Sequence, residues 1–143
     1  LAKRYGADLT FEAEEDIAAN LLRHLGKKAD VVILCTSAMS AVEQAWACVD
    51  KGGAVVFFAV PGPEKQVTIP INDFWTKEVR ILTSYYCGPP DIQEALTLLT
   101  DRAIEVDSMI THSLPLREIA RGFRMVIEGQ DALKVIIKPH EIL

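Results

Sequence analysis

Three short stretches of this 143-residue chain carry residue types that could hold a ligand: CTSAMS (35–40), AVPGPE (59–64) and SYYCGPP (84–90). Each follows an apolar run of strand length, at Thr36, Val60 and Tyr85. Small and turn-forming residues let a ligand approach the backbone closely, while a few hydroxyls and amides fix its orientation. Glu64 is the only charge among them. If the three strands are parallel, their carboxyl ends share one sheet edge, the place where open α/β sheets bind nucleotides. Ordinary turns favour the same residue types, and the pattern alone leaves both readings standing.

Other residues with chemical potential are read more plainly. His24 falls late in a helical stretch, where an imidazole suits the helix dipole. His112 and His140 have no Cys or carboxylate at ligand spacing. Cys35 at a strand end reads by default as a buried, inert thiol. Trp46 lies at helical spacing and reads as core, whereas Trp75 covers an edge or faces a partner. Lys134 opens the last strand and either meets a phosphate or is solvated. There is no Ser/His/Asp, Cys/His or paired-carboxylate arrangement, and no G-x-G-x-x-G or P-loop.

These positions need a scaffold, and composition bounds it. With half its residues apolar, the chain can fill one ordinary core. A net charge of −5 from dispersed side chains argues against a nucleic-acid surface. The apolar runs at 31–34 and 54–60 are far short of the roughly 18 residues a membrane span needs. Three cysteines, odd in number and far apart, form neither a disulfide framework nor a C-x-x-C motif, which points to a reducing, cytoplasmic setting. A small-molecule or a protein partner is left, with no nucleic acid and no membrane.

The elements follow from periodicity. The opening LAKRYGAD reads as the last turns of a helix stopped at Gly6, as though the chain continues something longer. DLTF (8–11) is a short strand candidate, and EEDIAANLLRHLG places Ile17, Leu21, Leu22 and Leu25 on one helical stripe. ADVVILCTS is an unbroken apolar run, suited to a parallel strand covered on both faces. SAVEQAWACVDKGG begins with a Ser40-x-x-Glu43 capping box and closes at Gly52 and Gly53. AVVFFAV (54–60) is the next strand, VTIPI an edge segment, and VRILTSYY (79–86) another strand. This is the rhythm of a doubly wound parallel sheet. It changes near Cys87, where Gly88, Pro89 and Pro90 break the chain and Asp91 caps the next helix. MITHSLPL, the helix REIARGFRMVIEG and the strand LKVIIKP follow. A domain boundary is expected there, giving segments 1–87 and 88–143.

The ordered set LAKRYGAD, ADVVILCTS, KGGAVVFFAVPGP, VTIPIND, SYYC, EALTLL, ITHSLPLREIARGF and ALKVIIKP resembles the zinc-dependent medium-chain alcohol dehydrogenases, nearest the polyol (sorbitol) and threonine dehydrogenase branch. The resemblance covers essentially all 143 residues. It implies an α/β fold in which residues 1–87 are the second half of a Rossmann domain, a doubly wound parallel sheet that binds NAD(P). Residues 88–143 would then be the return segment that completes a GroES-like catalytic domain.

Residue by residue, the resemblance implies that Cys35 and Thr36 border the adenosine half of NAD or NADP. Ala59 and Val60 hold the nicotinamide carboxamide through their backbone, and Ser84 and Tyr85 lie where nicotinamide and substrate meet. Lys134 lies near the pyrophosphate. It further implies a homo-oligomer joined through edge strands between Val67 and Ile71 and between Val79 and Tyr85. The glycine-rich phosphate turn, the residue selecting NAD over NADP, and the zinc ligands all fall, in that family, ahead of Leu1. No catalytic residue and no metal ligand is therefore assigned here. The expected whole is a zinc-dependent dehydrogenase moving a hydride between a secondary alcohol or polyol and the nicotinamide, with this portion inactive alone. A non-catalytic nucleotide-binding or dimerising module, and a zinc-free quinone or enoyl reductase of the same superfamily, are the alternatives. Without a first βαβ unit, a strand edge and apolar helix faces should stand uncovered.

Overall fold

The computed structural model describes residues 1–129 and 131–140. The chain divides into two compact units, Leu1–Tyr86 and Cys87–Leu143.

In the first unit, strands β1 (Ala29–Leu34), β2 (Val49–Phe57) and β3 (Arg80–Thr83) form one parallel sheet in that order. Parallel neighbours need a crossover. Helix α2 (Met39–Cys48) supplies the first and α3 (Ile71–Lys77) the second. The core is built on one face of the sheet: Leu34, Val55 and Phe57 meet Val42 and Ala45 of α2 and Phe74 of α3. Trp46 closes it, its ring edge-on to Phe57 at 5.6 Å and Phe74 at 5.2 Å, with Nε1–H donating to the Thr68 carbonyl at 3.1 Å. The expected core role of Trp46 therefore holds.

The alternate residues of β1 tell the opposite story. Val31 and Ile33 are 55 % and 60 % exposed. The apolar run suited to burial on both faces is covered on one, because side chains alternate and these residues place helices only on the Leu34 side. Helix α1 (Ile17–Leu25), capped by the Asp16 carboxylate on the Ala19 N–H at 3.0 Å, packs on α2, yet Leu22 and Leu25 of its stripe remain exposed.

Several local expectations are corrected. The opening is a single 3-10 turn, Ala2–Tyr5, stopped as expected by Gly6 at φ +93°. DLTF is not a strand, since an extended segment becomes one only against a ladder partner, and no strand pairs with it among the described residues. The Ser40 capping box does not form: α2 starts two residues earlier, with Ala38 at the cap position. That helix ends at Cys48 rather than at the glycines, and Val49 already pairs with Ala29. Gly52 and Gly53 instead serve the irregularity in the β1–β2 register between Ala29 and Val31. Gly52 takes φ +73°, and a Cβ on Gly53 would stand 2.9 Å from the Asp30 and Asp50 carbonyls.

VTIPI is not an edge strand either. Residues 67–70 have no ladder, and Ile71 begins α3, because the Thr68 carbonyl turns in to meet Trp46.

The second unit is a separate parallel pair. Strands β4 (Ile110–Pro115) and β5 (Lys134–Lys138) are joined through α5 (Ile119–Glu128). Gly122 lets α5 lie on the sheet: a Cβ there would be 3.3–3.4 Å from Ile137, Val135 and Leu114. Helix α4 (Pro89–Thr100) starts two residues before Asp91, with Pro89 in its first position and Gly88 capping. Pro suits that position because its missing N–H would be unsatisfied anyway. Asp91 still helps, its carboxylate accepting the Gly88 N–H at 2.7 Å.

Candidate functional site

Parallel β1, β2 and β3 end at Leu34, Phe57 and Thr83, two or three residues before the ends read from sequence. Short backbone stitches then hold the following residues at one edge. The Leu34 carbonyl accepts two N–H groups, Phe58 at 3.1 Å and Ala59 at 2.8 Å, and the Phe57 carbonyl accepts Ser84 N–H at 3.0 Å. The structure thus brings Cys35 and Thr36, Ala59 and Val60, and Ser84 and Tyr85 to the same edge of one sheet. Lys134 belongs to the second unit, exposed at the start of β5, where the Thr111 hydroxyl holds its backbone N–H at 3.3 Å and carbonyl at 3.2 Å.

The stitching decides which groups face outward. The Ala59 and Ser84 N–H groups are consumed within the sheet, so these residues offer a carbonyl and, for Ser84, a hydroxyl. Val60 N–H has no hydrogen-bond partner among the described residues, and Val60 is 61 % exposed. The free Val60 N–H can donate to the oxygen of a carboxamide, whereas the Ala59 carbonyl, across the same trans peptide, points the opposite way. Thr36 Oγ1 accepts the Ala38 N–H at 3.3 Å, which leaves its own proton to donate outward.

Cys35 is exposed, which corrects the expectation of a buried thiol: β1 has already ended, and no helix covers the position. Cys48 is the buried one, and burial pushes its thiol pKa up. Sequence reading missed Phe58, 67 % exposed beside this edge. It was absorbed into an apolar run, although alternation with buried Phe57 would have turned it outward. Tyr85 and Tyr86 are both almost fully exposed, with ring centroids 5.8 Å apart, and Tyr86 takes a left-handed φ of +67°.

The chemistry of this edge is binding and orientation. A flat, partly apolar ring could rest against Val60 and Phe58, its amide oxygen accepting from the Val60 N–H. Glu64 sits nearby with its carboxylate folded over Gly62, where a Cβ would fall 2.5 Å from Oε2. Zinc does not fit: among the described residues no three His, Cys, Asp or Glu side chains converge to hold a metal ion. Nor is any described helix long and apolar enough to cross a membrane.

A three-stranded parallel sheet with crossover helices, stitched at its carboxyl edge around small and hydroxyl residues, is the half-sheet of a nucleotide-binding α/β domain. Residues 1–101 match the zinc-binding dehydrogenase family model, and the chain belongs to that family. Its relatives include the erythritol/L-threitol dehydrogenase of Mycolicibacterium smegmatis, 33 % identical over 146 residues, covering 97 % of this chain and 38 % of that protein. The sorbitol dehydrogenase of Rattus norvegicus is 32 % identical over 142 residues, covering 96 % and 38 %. Among solved structures, a Sinorhizobium meliloti 1021 protein described as a zinc-binding dehydrogenase and bound to NADP superposes with a TM-score of 0.84 at 28 % identity, covering 96 % of this chain and 41 % of that one. The 2R,3R-butanediol dehydrogenase of Bacillus subtilis shares the fold at a TM-score of 0.83 and 22 % identity, over 97 % of this chain and 40 % of that one. The chain thus spans about two fifths of the length of the relatives it matches.

Proposed function

We propose that the chain forms the nicotinamide-side part of an NAD(P)-linked, zinc-dependent dehydrogenase that transfers a hydride between a secondary alcohol or polyol and the coenzyme. The observation that carries this reading is the carboxyl edge of β1–β3, where the Ala59 N–H is consumed and the Val60 N–H is left free to donate. Held there by its carboxamide, a nicotinamide is fixed in rotation, and orientation is most of what a protein adds to hydride chemistry. Cys35 and Thr36 border the adenosine half, Ser84 and Tyr85 the nicotinamide and substrate, and Lys134 the pyrophosphate. Residues 1–87 are the second half of the Rossmann domain, and residues 88–143 the return segment of a GroES-like catalytic domain.

Zinc and its ligands lie outside the described residues in this reading. The polyol substrate class follows the names of the relatives. The unpaired side of β3 near Val79 to Tyr85 is the contact for a homo-oligomer, without the Val67–Ile71 strand. Three unbridged cysteines support a cytoplasmic setting.

The test is an assay of the complete native polypeptide with zinc and either coenzyme against erythritol, threitol, sorbitol and butanediol. Formation of NADH or NADPH with at least one is expected. No reduced coenzyme from any of them, or from simple secondary alcohols, would sink the reading. Activity toward quinones or enoyl substrates without bound zinc would favour the zinc-free reductases instead.

A further inference from the structure

The opposite, amino edge of the same sheet carries a different chemistry. A cavity of about 350 Å³ opens there between the start of β2 and the end of α3, lined by Lys28, Val49, Asp50, Lys51, Thr76 and Lys77. Three lysines line it. Lys77 is shared with Asp73 at 2.7 Å, and neighbouring Lys27 with Asp30 at 2.6 Å, but Lys28 and Lys51 have no carboxylate within 4.0 Å among the described residues. The one carboxylate lining the cavity is otherwise engaged: Asp50 accepts the N–H of Lys51 at 2.8 Å and of Lys28 at 3.0 Å. Those bonds, the Lys51 one first, hold its carboxyl below the usual range.

Helix dipoles do not account for this grouping. Lysines complement the negative end of a helix when they sit in its last turn. That explains Lys77 at the end of α3, but Lys28 and Lys51 precede and begin strands. The chain as a whole is acidic, at −5, so two unpaired ammonium groups beside a third are not a general surface property. Bordering a cleft with an apolar floor at Val49, they form a pocket for a compact, multiply charged anion.

We propose that the Lys28–Lys51–Lys77 cavity at the amino edge of the sheet binds a small phosphate-bearing anion, separately from the carboxyl edge where the coenzyme is placed. A phosphoryl group offers each amine its own oxygen, whereas a monovalent anion would be held by one. Because the cavity is open, binding is weak and falls with salt.

The test must locate the site, since a coenzyme-binding protein can take up phosphates elsewhere. Lysines of the complete native polypeptide are acetylated briefly, with and without inorganic pyrophosphate, and mapped by mass spectrometry; potassium chloride at equal ionic strength is the control. Pyrophosphate should slow acetylation of Lys28, Lys51 and Lys77 about threefold or more, an effect of the size expected for weak exposed ion pairing, and leave Lys65 unchanged. In the K28Q/K51Q variant the protection of Lys77 should disappear. Equal protection by chloride, or protection of Lys65 to the same degree, would overturn the proposal. So would unchanged Lys77 protection in the double variant.

Discussion

Val60 is the residue on which the coenzyme reading turns, because its N–H is the donor the sheet leaves free at this edge. Val60→Pro removes that donor. With one hydrogen bond worth about 0.5–1.5 kcal/mol, the KM for coenzyme in the complete enzyme should rise about two- to tenfold. Steady-state kinetics with coenzyme varied would show it, and an unchanged KM would count against the carboxamide contact. The cysteines give a second readout. Cys35 and Cys87 are exposed, whereas Cys48 is buried with its thiol pKa raised, chiefly by desolvation. Iodoacetamide near neutral pH should therefore label Cys35 and Cys87 well before Cys48, since the thiolate is the reactive form. Saturating coenzyme should slow Cys35 alone. Equal rates at all three positions, by peptide mass spectrometry, would contradict this placement.

At the scale of elements, β2 is the strand that everything else is built around, and its irregular register with β1 depends on Gly53. Gly53→Ala places a methyl 2.9 Å from two carbonyl oxygens that belong to the backbone and cannot swing away. We expect a loss of about 1–3 kcal/mol, read by denaturant unfolding of the complete protein. A neutral result would mean that the β1–β2 register is looser than described. This glycine also marks where sequence reading reached and where it stopped. The parallel sheet, the crossover at α2 and the shared carboxyl edge were legible, because apolar runs of strand length alternating with helical stripes leave few other solutions; the short α3 crossover was not, hidden behind the extended reading of VTIPI. The exact ends were not. Gly52 and Gly53 read as a helix stop, yet Val49 had already left the helix to pair with Ala29, a tertiary contact that no local pattern encodes. DLTF and VTIPI read as strands from β propensity, but a ladder needs a partner, and Trp46 takes the Thr68 carbonyl instead. In the site, positions along the chain were legible, whereas the division of N–H groups into consumed and free depended on the stitches to Leu34 and Phe57.

For the whole molecule, the decisive feature is the apolar surface left open. One groove, lined by Ile17, Leu21, Val31, Ile33 and Ala41 among others, runs along the unpaired side of β1. Val31 and Ile33 stand exposed along it, and Leu22 and Leu25 of α1 are exposed as well. A contiguous apolar face beside an open strand edge invites association. Expressed by itself, the 143-residue chain should self-associate or melt broadly at low temperature. Light scattering and calorimetry would check this, and a stable monomer with a sharp cooperative transition would contradict it. The central claim, that the carboxyl edge of β1–β3 seats a nicotinamide, is tested most directly by a crystal structure of the complete protein with NAD(H) or NADP(H). The carboxamide oxygen is expected within about 3 Å of the Val60 nitrogen, the ordinary hydrogen-bond distance. A nicotinamide ordered elsewhere, with Ala59 and Val60 untouched, would contradict it.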